Sequence, residues 1–210
     1  MRGLLVTFEG IDFSGKSLQA GLLRTRLTKE LRPAILLREP GGTEISEKIR
    51  RILLDKENYH MTAQAELLLY SAARSQMVSE QIIPNLEQGK IVICDRYYDS
   101  TTAYQGYGRE IDLDFVTKLN KFVSYAVKPD LTFLLDLDPE VAQTRSEAGS
   151  GQFDRLEQEN LDFHRRVRQG YLELAAAESD RFVVLDASLS PETIQQEIYE
   201  RFKTKMATLL

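Results

Sequence analysis

The sequence predicts an α/β fold in which a mainly parallel, five-stranded sheet is covered by helices on both faces. Three observations point there. Short runs rich in Val, Ile, Leu and Phe recur at 4–8, 34–37, 91–94, 131–137 and 182–185. These runs do not alternate apolar with polar residues, as strands wet on one face would, so both of their faces need cover. Between them lie longer stretches with helical spacing, the succession of element types that builds parallel layers. A length of 210 residues suits one compact domain, and 42% apolar with 28% charged residues is an ordinary globular composition.

Taken in order, the first run leads into "FEGIDFSGKS" (8–17), where Gly10, Gly15, Lys16 and Ser17 have the spacing of a phosphate-binding loop between a strand and a helix. The glycines let backbone N–H groups approach phosphate oxygens, Lys16 places a compact charge between them, and Ser17 offers its hydroxyl to Mg²⁺. A helix is expected at 16–31, and the second strand ends at Arg38. Helical patterns follow at 43–55 and 62–88, the latter holding Pro84, which should bend or split it. The third strand contains Cys94, the only cysteine, read as a small buried apolar residue, and ends at Asp95 and Arg96. Helices are expected at 112–127, 139–145, 160–177 and 191–206, with the last two strands among them. Arg38 and Arg96 stand at carboxyl ends of strands, where ligands bind in such sheets, and point to a second phosphate near Lys16. An ion pair within the fold is the alternative for either arginine alone.

Other features are expected to be bland. Asn120-Lys121-Phe122-Val123 lacks the Asp of a guanine reader and reads as a solvated helix face. His60 and His164 have no ligand spacing between them and read as surface or structural residues. The only loose, small-residue segment is 146–152, expected to belong to a mobile lid over about 145–157. A net charge of −5 disfavours nucleic acid as a partner. No stretch approaches the apolar length of a membrane span, and the N-terminal residues do not form a secretory signal, so a cytoplasmic location away from membranes is expected.

Six stretches carry a resemblance: "FEGIDFSGKS", "REPGGT" (38–43), "LLLYSAARSQ" (67–76), "DRYYDSTTAYQGYG" (95–108), "LLDLDPEVAQTR" (134–145) and "FDRLEQE" (153–159). In these, and in their order along nearly the whole chain, the sequence resembles the bacterial thymidylate kinase family. The resemblance implies a nucleoside-monophosphate-kinase-like three-layer sandwich forming one P-loop domain over 1–210. It also implies ATP-dependent phosphorylation of dTMP to dTDP, on the way to dTTP. ATP would lie along Gly10, Ile11, Asp12, Phe13, Ser14, Gly15, Lys16 and Ser17, with Arg145 packed on adenine and Mg²⁺ held by Ser17. Asp95 is either a second Mg²⁺ ligand or a purely structural carboxylate.

For the acceptor, the family's Asp-Arg-Tyr arginine is Arg96, which would hold the 5′-phosphate with its planar fork. Asp12 would accept from the sugar 3′-hydroxyl. Tyr70 and Arg74, four residues apart on one helix face, would stack on thymine and donate to its O4; a core tyrosine beside a surface arginine is the alternative. Ser100, Thr101, Tyr104 and Gln105 would line the base and the sugar's 2′ edge, with Tyr104 excluding a ribose hydroxyl, and Arg38 and Pro40 complete the set. No general base is needed, because a phosphate monoester has lost its second proton above about pH 6.

The sequence departs from the family at one point. Relatives carry a catalytic arginine either where Phe13 stands or in the lid, and neither Phe13 nor 146–152 provides one. Arg145 and Arg155 flank that stretch, and Arg165, Arg166 and Arg168 follow. Arg155 is therefore the expected γ-phosphate clamp, joining Lys16, Arg96 and Arg145 as catalytic cations. A homodimer is expected through the helix with residues 67–78, whose apolar residues spread around more than one face. The alternatives are a kinase for another pyrimidine monophosphate and a slow nucleotide-hydrolysing switch.

Overall fold

Strands β1 (Leu5–Glu9), β2 (Ala34–Arg38), β3 (Ile91–Asp95), β4 (Leu131–Asp136) and β5 (Phe182–Asp186) form a parallel sheet in the order β2-β3-β1-β4-β5. These elements come from a computed structural model that describes residues 2–148 and 154–209. Successive strand residues point to opposite faces and feed two apolar clusters. Val6, Phe8 and Ile93 join the larger one with Leu23, Phe163 and Phe202. Leu5, Val92 and Cys94 join the smaller one with Met77, Val78 and Ile82. Cover on both faces holds for the inner strands only, because the edge strands β2 and β5 reach past the helices and expose Leu36 and Val184.

The helices are α1 (Lys16–Lys29), α2 (Glu44–Leu54), α3 (Ala63–Met77), α4 (Ile83–Glu87), α5 (Tyr98–Thr101), α6 (Leu113–Val123), α7 (Pro139–Ala148), α8 (Leu161–Ala177) and α9 (Pro191–Leu209). Side-chain caps set several of their starts. Thr43 accepts from the Ser46 N–H at α2, Thr62 from Ala65 at α3, and Asn160 from Phe163 at α8. At α1 the cap position is Gly15, which has no side chain, so the first-turn N–H groups stay available to an anion.

The expected helix at 62–88 is α3, a wide π turn (Val78–Ile82) and α4. Pro84 sits in the first turn of α4, where a missing N–H costs little. The segment after β3 was not expected to be helical, yet α5 runs into a second π turn (Thr102–Gly108). The expected solvated face at Asn120 is corrected. Asn120 is buried on α6 and donates to the Tyr98 carbonyl (3.2 Å) and Thr102 Oγ1 (3.0 Å), because a buried amide must find partners. Of the loose segment, Ser146 and Glu147 belong to the last turn of α7, and the remainder from 149 onward lies outside the described residues. Among the described residues no helix is long and apolar enough to cross a membrane.

The chain leaves β1 toward β2 and β3 on one side, then returns to lay β4 and β5 on the other. A crevice therefore opens at the carboxyl end of β1, where the phosphate loop begins.

Candidate active site

Gly10 opens the loop at φ 136°, and a Cβ there would come within 2.4 Å of the Leu135 carbonyl oxygen, so only glycine fits between β1 and β4. Lys16, 6% exposed, donates from Nζ to the Ile11 carbonyl (2.7 Å). Burial, then the neighbouring Arg96 charge, pulls its ammonium down to about 8. Ser17 Oγ donates to an Asp95 carboxylate oxygen at 2.5 Å, tying the first turn of α1 to the end of β3.

Arg96, just past β3, has φ 71° and donates its backbone N–H to the Phe8 carbonyl (3.0 Å), which fixes the side chain over the loop. Its guanidinium pairs with Asp12 and donates to the Gly10 carbonyl (3.0 Å), Ser100 Oγ (3.2 Å), Tyr104 Oη (3.1 Å) and Tyr171 Oη (3.2 Å). Asp12 also accepts from Tyr104 Oη at 2.7 Å. Burial pushes the Asp12 carboxyl up, but the charges of Arg96 and Lys16 together with hydrogen bonds outweigh it and hold the group well below its ordinary range.

Behind this pair lies Glu9, a buried acid that no motif singles out. It accepts from the Tyr97 N–H (2.7 Å), Ser100 Oγ (2.6 Å) and Tyr171 Oη (3.0 Å). Burial, then the Asp99 charge, pushes its carboxyl up to about 7. Glu9 thus orients the two hydroxyls that steady Arg96. An acid ending an otherwise apolar, buried strand was the available signal for it.

On the far side of the crevice Arg74 is 2% exposed, which removes the surface-arginine alternative. It donates to Glu39 Oε2 (2.7 Å), Thr101 Oγ1 (2.7 Å) and the Tyr97 carbonyl (3.2 Å). Tyr70 lies one turn earlier on α3, half-buried. Arg38 is exposed and paired with Glu47 (3.0 Å), while Arg50 on α2, which sequence reasoning missed, donates to the Pro40 carbonyl (2.9 Å).

All ten residues expected to bind the acceptor, from Asp12 to Gln105, line one cavity of about 460 Å³. Phe13, Gly15, Lys16, Ser17, Asp95 and Arg145 line the same space, as do Glu39 and Arg50; Gly10, Ile11 and Ser14 do not line it, and Ile11 borders a neighbouring cavity of about 320 Å³. Arg145 donates to the carbonyls of Phe13 (3.3 Å) and Ala187 (2.8 Å), bridging the loop to the turn after β5.

Arg155, the expected γ-phosphate clamp, does not line this cavity: its side chain is 9% exposed, pairs with Glu66 (2.6 Å), donates to the Leu53 carbonyl (3.1 Å), and borders a separate cavity of about 230 Å³. A nearby buried carboxylate holds it, because an unpaired guanidinium in the interior would be costly. Arg165 and Arg168 are paired with carboxylates and Arg166 with the Gly108 carbonyl, and none of the three lines the larger cavity. Of the cations that line this cavity, Lys16 belongs to the phosphate loop and Arg96 and Arg145 donate to its carbonyls.

Residues 8–198 match the family model described as Thymidylate kinase. A thymidylate kinase of Halothermothrix orenii is 52% identical over 205 residues, covering 97% of this chain and 98% of its own. One from Nostoc punctiforme is 45% identical over the full length of both. The crystal structure of thymidylate kinase from Ehrlichia chaffeensis superposes with a TM-score of 0.79 at 34% identity, covering 97% of this chain and 99% of that one.

Proposed function

The chain belongs to the thymidylate kinase family, and from that premise we propose how its cleft phosphorylates dTMP to dTDP with ATP. One observation carries the reading: the residues that suit a deoxynucleoside monophosphate and those that suit a polyphosphate share one cavity, with Arg96 and Lys16 between them. The loop N–H groups and Lys16 hold the β- and γ-phosphates of ATP, and Arg145 packs on adenine. Arg96 turns from its neutral partners to the acceptor 5′-phosphate, while Asp12 keeps its pairing and accepts from the 3′-hydroxyl. Arg74, fixed by Glu39, donates to O4 of the base stacked on Tyr70, and Tyr104 closes the 2′ edge.

The acceptor oxygen is already ionised at neutral pH, so the protein's task is to bring two anions together and align them. Glu9 is no base for this reaction, because it lies behind Ser100 and Tyr171 and does not line the cavity. Ser17 Oγ and the Asp95 carboxylate form an all-oxygen pair that suits Mg²⁺, a cation that takes few protein ligands when phosphates provide the rest. When bound, Mg²⁺ would neutralise charge on the donor phosphates. Turnover is tested by ADP release in a coupled assay. ADP should form only when a monophosphate acceptor is present, and fastest with dTMP, whereas acceptor-independent ADP release would favour a nucleotide-hydrolysing switch.

We also infer that the protein is a homodimer. Leu68 on α3 and Phe115 and Phe122 on α6, which packs against α3, are exposed apolar side chains, a surplus that a second copy would cover. Sedimentation at micromolar concentration should give twice the chain mass; a monomer contradicts the inference.

A further inference from the structure

Several groups that the phosphoryl-transfer reading leaves unused converge on one carboxylate. Glu66 of α3 is 1% exposed. Its Oε1 accepts from Gln105 Nε2 (2.9 Å) and Arg109 Nε (3.2 Å), and its Oε2 from Arg109 Nη2 (3.1 Å) and Arg155 Nη1 (2.6 Å). Arg109 has a second anchor in Glu159 (2.6 Å). Among the described residues Arg155 meets the Leu53 carbonyl besides Glu66, and its Nη2 is buried without a partner there. The position of Arg155 therefore depends heavily on Glu66.

Two walls of the acceptor cavity hang from this node. Gln105 lines the cavity from the π turn after α5, and its amide is oriented by Glu66. Asp154, Leu156 and Glu157 line it as well, and Arg155, set among them, points instead into the Glu66 node. The same helix face carries Tyr70 and Arg74 one and two turns further on. Burial alone would push the Glu66 carboxyl up, but hydrogen bonds and charge from Arg109, Gln105 and Arg155 outweigh it, so the group is an anion at neutral pH.

We propose that Glu66 is a positioning residue for the acceptor, holding Gln105 and the 154–157 wall against the bound monophosphate through side chains that do not meet the transferring phosphate. The proposal rests on the dTMP reading of the cavity and assigns Arg155 to that wall. A contact that holds ground state and transition state alike acts on KM and spares kcat.

The test uses the full chain and compares wild type, Glu66→Gln, Arg155→Met and the double variant. Circular-dichroism melts establish folding, steady-state kinetics read turnover, and calorimetry reads dTMP binding without turnover. Glu66→Gln keeps the side-chain shape but turns an amide N–H₂ toward donors. It should raise the dTMP KM and Kd by about tenfold or more while the ATP KM and kcat stay within about threefold. Arg155→Met should raise the dTMP KM in the same direction. The double variant should show less than the product of the two effects, because both cut one link. A folded Glu66→Gln protein with wild-type dTMP affinity overturns the proposal. So does an Arg155→Met protein that loses kcat alone, which would return Arg155 to the transferring phosphate. Should Glu66→Gln fail to fold, the dTMP affinity of Arg155→Met decides by itself. If wild type prefers another monophosphate, the dTMP reading fails, and the same series with that acceptor still decides the role of Glu66.

Discussion

Lys16→Ala is expected to lower phosphoryl transfer by at least about 10³-fold while leaving the fold intact, because a charge acting on the transition state commonly contributes several kcal/mol. Stability should not suffer. The ammonium is held in the interior by carbonyl and hydroxyl groups, and its burial already works against its charge. Lys16→Arg should not rescue activity, since a planar fork cannot replace a compact ammonium in a space closed by the Ile11 carbonyl.

The same residue predicts a pH dependence. With its ammonium lowered to about 8, free enzyme loses this charge as the pH rises through that value, and kcat/KM for ATP should fall on the alkaline side. Bound phosphates favour the charged form, so the limb should move upward in kcat. On the acid side, activity should fall below about pH 6, where the acceptor phosphate takes up its second proton. The alkaline limb should be missing from Lys16→Ala. Near-normal turnover in either Lys16 variant contradicts the loop's catalytic assignment.

Arg96→Met is expected to weaken dTMP binding by about 10²-fold or more, because charged hydrogen bonds contribute roughly 1.5–3 kcal/mol each and this fork can make two to one phosphate. It should also destabilise the free protein. Asp12 would lose its ion pair, and a loss of about 1–3 kcal/mol is expected for a site that keeps partial solvent access, below that of a fully buried pair. The sign with pH follows from Asp12, whose folded-state carboxyl is held below its ordinary value of 3.8. Its contribution is present above that value and is lost as the pH falls further, so the stability gap between wild type and variant should narrow in acid. Calorimetry with dTMP and thermal melts at neutral and acid pH measure both effects. Unchanged dTMP affinity would remove Arg96 from the acceptor site.

The parts of this architecture that were legible in the sequence are those written locally. The five strands are short apolar runs, the phosphate loop is a contiguous motif, and Asp12, Arg74 and Arg96 lie within stretches whose order marks the family. What escaped is non-local. Glu9, Glu39 and Glu66 are acids whose partners come from distant segments, and only Glu9, at the end of an apolar strand, carries a local sign of burial. The pairing of Arg155 escaped for the same reason, since its motif neighbours do not reveal the carboxylate of α3 that it meets. Asn120 was read from a helical surface pattern, but Tyr98 and Thr102 claim its amide. The helical turns after β3 are rich in Thr, Tyr and Gly, residues of low helix propensity, and packing against α6 and α8 holds them instead.

The most direct test of the central claim is the coupled ADP assay run on wild type with dTMP, dUMP, dCMP, CMP and UMP at equal concentration. Arg74 offers a donor to a base carbonyl and would meet an amino group on cytosine, while Tyr104 crowds the 2′ position of a ribose. The account predicts that dTMP is turned over fastest, with dUMP next, dCMP weaker, the ribonucleotides weakest, and no ADP without an acceptor. Faster turnover of a cytidine or ribonucleotide acceptor than of dTMP, or ADP release with no acceptor present, would contradict it.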